Sequence, residues 1–224
     1  MVCLPEDLSF PAWVSHVFDH PYQPRPWYWE FDADCWPVSI AVAAPYVDRF
    51  FRDAGELLAP YTDAQAGQGL NYLSSPSFAE YGHTAVSETV PLELRLAIVA
   101  GIGELFRQVY APRCGDRIAH PDDEPSEPLL SSCFMWWDAF PWYPKGGSPE
   151  RDAIDARMMR VLEEVLALPS AACQEAALHG LGHATGGTPE SPAGQIIERF
   201  LADDAARRPE LVSYARAARR DRIL

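Results

Sequence analysis

The chain has 224 residues, of which 48% are hydrophobic, 12% aromatic and 22% charged, a composition that excludes disordered and fibrous classes. Its 32 acidic residues against 18 basic ones give a formal charge of −14, a field that repels phosphate backbones and anionic lipid surfaces, so neither nucleic acid nor membrane is an expected partner. A chain this long buries about 70% of its unfolded surface without help from metal or disulfide, and a single domain over 1–224 is expected.

Pro5, Pro11, Pro21, Pro24 and Pro26 leave room near the start for one short helix, at 10–19. An irregular aromatic passage follows, Trp27-Tyr28-Trp29-Glu30-Phe31 and then Trp36. After Pro37, the residues Ile40, Ala44, Tyr46, Val47, Phe50, Phe51 and Leu57 recur at spacings of three and four. They predict a long amphipathic helix, bent at Pro45 and ending near Pro60. Thr62 and Gln65 have the spacing of a capping box, with a helix running on to Ser74. Pro91 suits the first turn of a helix whose apolar stripe is Leu94, Ile98, Ile102, Leu105 and Val109, closed by Pro112. The polar connection 113–127, with Asp122, Asp123, Glu124 and Glu127, reads as a solvated loop.

Residues 128–140 are apolar almost all round and predict one deeply buried helix before the break at Pro141, Pro144 and Gly146-Gly147. Ser148-Pro149 starts a helix with Ile154, Met158, Val161, Leu162 and Val165, and Ser170 caps the next one. So short a turn between them makes an antiparallel αα-hairpin. Ser191-Pro192 and Pro209 open two more helices. No run alternates with period two, so the expected fold is all-α, without a substantial sheet.

The stretch 148–185, with its tight turn and its small-residue helix Ala171-Ala172-Cys173-Gln174-Glu175-Ala176-Ala177-Leu178-His179-Gly180-Leu181-Gly182-His183, resembles a HEAT-type repeat that continues weakly into 191–219. Trp136-Trp137-Asp138 and Ala-Leu-His-Gly-Leu-Gly-His are also similar to stretches of an uncharacterised bacterial family, a likeness that implies no activity. The HEAT resemblance implies helical hairpins stacked as a compact α-solenoid-type array that binds other proteins and carries no catalytic residues.

Five cysteines, Cys3, Cys35, Cys114, Cys133 and Cys173, form no C-x-x-C pair, and their odd number argues against a disulfide framework. Cys133 and Cys173 read as reduced core side chains. With Pro5, Glu6 and Asp7 in place of a basic start and an apolar run, and with no 18-residue apolar stretch, a cytoplasmic protein is expected.

His179 and His183, four apart, project from one helix face, with Glu175 one turn earlier. The H-E-x-x-H arrangement is absent because Gly180 follows His179. The imidazoles are therefore expected to hydrogen-bond to a neighbouring helix or loop, and no catalytic residue, metal ligand or cofactor is assigned. The alternative is a metal-assisted hydrolase using Glu175, His179 and His183 with a carboxylate from elsewhere. Gly180 and Gly182 suggest close approach of another backbone. The tryptophan clusters Trp27/Trp29/Trp36 and Trp136/Trp137/Trp142 suit core packing, with Glu30, Asp32, Asp34 and Asp138 as partners for the indole N–H groups.

The preferred function is a non-catalytic interaction scaffold, in one version an immunity or antagonist protein steered by its acidic surface onto a basic partner. Trp27, Trp29, Glu175, His179 and His183 are its expected docking residues. A homodimer joined through a tryptophan-rich face is a further expectation. Residues 207–224 run against the overall charge, with six arginines, Arg207, Arg208, Arg216, Arg219, Arg220 and Arg222, which are expected to pair with acidic surface of the same chain.

Overall fold

Side-chain caps and first-turn prolines start many of the helices in the computed structural model, which describes residues 4–30, 33–77, 79–119, 127–203, 207–220 and 222. Expectations resting on Cys3, Phe31, Asp32, Asp122, Asp123 and Glu124 lie outside the described residues. Ser9 caps α1 (Phe10–Phe18), and α2 (Ile40–Leu57) runs through Pro45. Thr62 and Gln65 form the complete capping box of α3 (Asp63–Ser74). Further along come α4 (Leu92–Leu105), α5 (Ala111–Cys114), α6 (Pro128–Phe134) and α7 (Trp136–Ala139). The hydroxyls of Ser148, Ser170 and Ser191 then cap α8 (Pro149–Leu166), α9 (Ala171–Thr185) and α10 (Pro192–Leu201), and α11 (Pro209–Ala218) follows. Among the described residues there is no strand, only a lone backbone bond from Leu4 N to Cys35 O at 2.9 Å.

Three elements differ from the sequence reading. Pro112 does not close its helix. A π-turn over Phe106–Tyr110, in which Ala111 N bonds Phe106 O, shifts the register so that Pro112 falls in the first turn of α5 and its missing N–H is not needed. The rod stops instead at Gly115, which takes φ +62°. The expected single helix over 128–140 breaks at Met135 (φ −82°, ψ 5°) into α6 and α7. A 3-10 segment, Glu80–Ala85, has no apolar periodicity to announce it.

Helix α2 packs on α4, α4 on α8, and α8 on α9 across a four-residue connection, while α1 packs on α3 and α3 on α6. Gly101 sets the α2–α4 distance, because a Cβ there would lie 2.7 Å from Phe51 Cβ. Helix α9 also touches α6, α7, α10 and α11, so it is covered on nearly every side. Its polar residues Glu175 and His179 are buried along with Ala176, Leu178 and Leu181. Cys114, Cys133 and Cys173 are buried free thiols in this core. Among the described residues no helix is long and apolar enough to cross a membrane.

Candidate metal centre

Two aromatic side chains place the short helix α7. Trp136 stacks on Phe140 with ring centroids 5.9 Å apart, and Trp137 stacks on Phe106 at 5.8 Å. Trp137 also sits over Gly180 of α9, where a Cβ would lie 2.6 Å from its Cγ, so the glycine admits a ring and not the neighbouring backbone expected from sequence. Seated in this way, α7 presents Asp138 to the face of α9 that carries His179 and His183.

The three side chains converge. Asp138 Oδ1 lies 2.7 Å from His183 Nε2, Oδ2 lies 2.7 Å from His179 Nε2, and the two Nε2 atoms are 3.1 Å apart. All the potential ligand atoms lie within 4.8 Å of one another. Donors on a tetrahedral ion at about 2.0–2.1 Å are separated by about 3.3 Å, so the spacing of the nitrogens is that of two ligands on one cation. Asp138 Oδ2 is buried, and its close contact with His179 falls outside hydrogen-bond angles, which leaves its lone pairs unused.

The second nitrogen of His179 is fixed as well. Nδ1 lies 2.7 Å from the hydroxyl of Tyr214 on α11, the kind of outer partner that orients a ligating imidazole. Burial, and then the charges of Glu175 and Asp138, push the Tyr214 phenol above its ordinary range, so it remains a hydroxyl. Burial alone would raise the pKa of Asp138. The close contacts and charges of His179 and His183 outweigh it and hold the carboxyl well below the usual carboxylate range. Asp138 is therefore an anion, the state in which a carboxylate ligates. Asp138 and His183 remain partly open to solvent, whereas His179 is 2% exposed.

Of the residues singled out from sequence, His179 and His183 come together here, and His179 makes its bond to a neighbouring helix through Tyr214. Glu175 does not join them as a ligand. It is 0% exposed, and its Oε2 accepts the amide of Ala119 at 2.6 Å. Trp27 and Trp29 lie elsewhere, on a 3-10 turn, where Trp27 stacks on His20 with centroids 4.0 Å apart. Trp29 is 52% exposed.

Asp138 is the site residue that sequence reasoning assigned to a different task. It was expected to satisfy indoles, yet the Nε1 atoms of Trp136 and Trp137 are buried without a hydrogen bond, because α7 turns its carboxylate towards α9. The indoles that do find acceptors use others, Asp155 for Trp142 and the carbonyl of Pro5 for Trp36. The Trp-Trp-Asp sequence, next to a helix with histidines four apart, is the only signal in the chain that could have pointed to it. No protein-family model, curated protein or solved structure matches the chain.

Proposed function

We propose that this chain binds a divalent transition-metal ion, zinc above all, through Asp138, His179 and His183, and that it belongs to the metal-assisted hydrolases. The observation that supports this most is the convergence of one ionised carboxylate and two imidazole Nε2 atoms within 4.8 Å. Three protein ligands, with Asp138 and His183 reaching solvent, match the open coordination of catalytic rather than structural zinc. When bound, such an ion lowers the pKa of a coordinated water to about 7. The chain's own contribution is positional: Trp137 on Gly180 seats Asp138, and Tyr214 fixes the ring of His179. In this reading Asp138 supplies the carboxylate from elsewhere, while Glu175 holds the backbone at Ala119. The scaffold is HEAT-like, with α8–α9 and α10–α11 as stacked hairpins, a reading supported by the packing of α9 on both α10 and α11.

The test is metal analysis and zinc titration calorimetry on protein purified without a histidine tag. One equivalent of zinc is expected, lost in Asp138→Asn and His183→Gln. Protein that keeps its helical circular dichroism but takes up no stoichiometric metal would remove the proposal.

A second reading, the non-catalytic scaffold that docks a basic protein, is favoured by the exposed Trp29 and Tyr22 beside a charge of −14. Association should then be strong at low salt, weaken at high salt and fall in Trp29→Ala. Light scattering separates it from self-association through the same face.

A further inference from the structure

A cavity of about 240 Å³ lies between the segment that precedes α2, the first turn of α2, the end of α3 and the 3-10 segment Glu80–Ala85. Its walls are largely apolar. Ile40 and Ala43 of α2 line it, and Trp36 offers it only a ring, since the indole N–H already donates to the carbonyl of Pro5 at 3.0 Å. The space equals that of about eight water molecules at about 30 Å³ each, room for a compact molecule and too little for a drug-sized one.

Two phenols and a thiol supply the polar part. Tyr72 of α3 and Tyr81 of the 3-10 segment meet with ring centroids 5.8 Å apart and planes at 74°, and both border the cavity together with Cys35. Tyr72 is only 4% and Tyr81 6% exposed, yet neither hydroxyl is sealed in and neither is hydrogen-bonded to a described residue. Polar groups so deeply placed are ordinarily bonded, so two open hydroxyls bordering one cavity are an unfilled pair. Burial raises the pKa of both phenols, Tyr81 to about 12 against the opposing close contacts of Trp13 and Tyr72, and the nearby Cys35 adds to the rise in each. Both therefore stand as neutral donors. The exposed carboxylate of Glu80 also borders the opening, where it repels anions.

We propose that this cavity binds a small uncharged carbonyl compound carrying an aromatic ring or a comparable hydrocarbon body. Its oxygen, with two lone pairs, accepts from the hydroxyls of Tyr72 and Tyr81, and its hydrocarbon part lies against Trp36, Ile40 and Ala43. The apolar walls disfavour a charged ligand, and Glu80 opposes a carboxylate in particular. The proposal is independent of the metal centre, since none of its residues belongs to that centre.

Calorimetric titration of the chain 1–224 with acetophenone tests it. The controls are α-methylstyrene, the same skeleton with a methylene in place of the oxygen, and benzoate. Saturable binding of acetophenone is expected, about tenfold or more tighter than that of either control, as two hydrogen bonds require. Tyr72→Phe and Tyr81→Phe should each weaken it about threefold to tenfold. Neither hydroxyl holds the fold together through a bond to a described residue, so both variants should fold. An unchanged near-ultraviolet circular dichroism spectrum, which reports the packed aromatic rings, separates a lost hydrogen bond from a collapsed cavity. No saturation by acetophenone up to about 10 mM, equal binding of α-methylstyrene or of benzoate, or full affinity in either phenylalanine variant would each overturn the proposal.

Discussion

Gly180 faces two opposing effects. An alanine there would favour the helix by about 1 kcal/mol, yet its Cβ would fall 2.6 Å from Trp137 Cγ and 2.9 Å from a methyl of Leu162. The clash wins because both neighbours are held in the core. Gly180→Ala should lower stability by about 1–3 kcal/mol in urea unfolding, and it should weaken zinc uptake by shifting Trp137 and, with it, Asp138. His16 gives a residue-level pH effect. Burial and the neighbouring His20 lower its pKa from 6.5 to about 4, against the smaller opposing pull of Asp34, and Trp27 and Tyr72 close around the ring. The unfolded chain then binds more protons than the native one between these values, so stability is full above pH 6.5 and drains away as the pH falls towards 4. Urea midpoints at pH 7.5 and pH 5 should differ by up to about 2 kcal/mol after allowance for solvent screening, and His16→Phe should flatten the difference. The paired imidazoles at 179 and 183 were legible because a helix repeats every 3.6 residues. Asp138 was not, since it lies 45 residues away from His183 and only tertiary packing brings it across.

Helix starts were the most legible elements, because a cap is a local hydrogen bond written into two residues. Thr62→Ala, which removes both the bond to Gln65 N and the hydroxyl contact to the Gln65 carboxamide, should cost about 1 kcal/mol by thermal or urea unfolding. Gln65→Ala should cost less and add little in the double variant, since the two side chains form one device. Helix ends were harder to read. Pro112 looked like a stop, but the π-turn before it changes which carbonyl each amide meets, and that shift leaves no mark in apolar spacing. The break at Met135 was hidden for the opposite reason: apolar residues on both sides of it keep the pattern continuous while the backbone turns.

At the scale of the whole molecule, the all-helical class followed from periodicity, whereas the order of packing did not, because which stripes meet depends on shapes beyond a hydropathy pattern. The basic C-terminal stretch is partly neutralised within the chain, as expected. Arg219 meets Glu198 at 2.9 Å, Arg208 meets Glu210 at 3.7 Å, and Arg207 lies over the ring of Phe200. Helix α9 is wrapped by partners from both sides of it in the sequence, and α10 and α11 are made after it. A nascent chain must therefore carry a sticky, uncovered rod until residues 192–218 have left the ribosome, a window in which chaperones and aggregation compete for it. Chains stopped at residue 190 should bind hydrophobic dyes that the chain 1–224 excludes, and the longer chain should depend on holdase chaperones during synthesis more than afterwards.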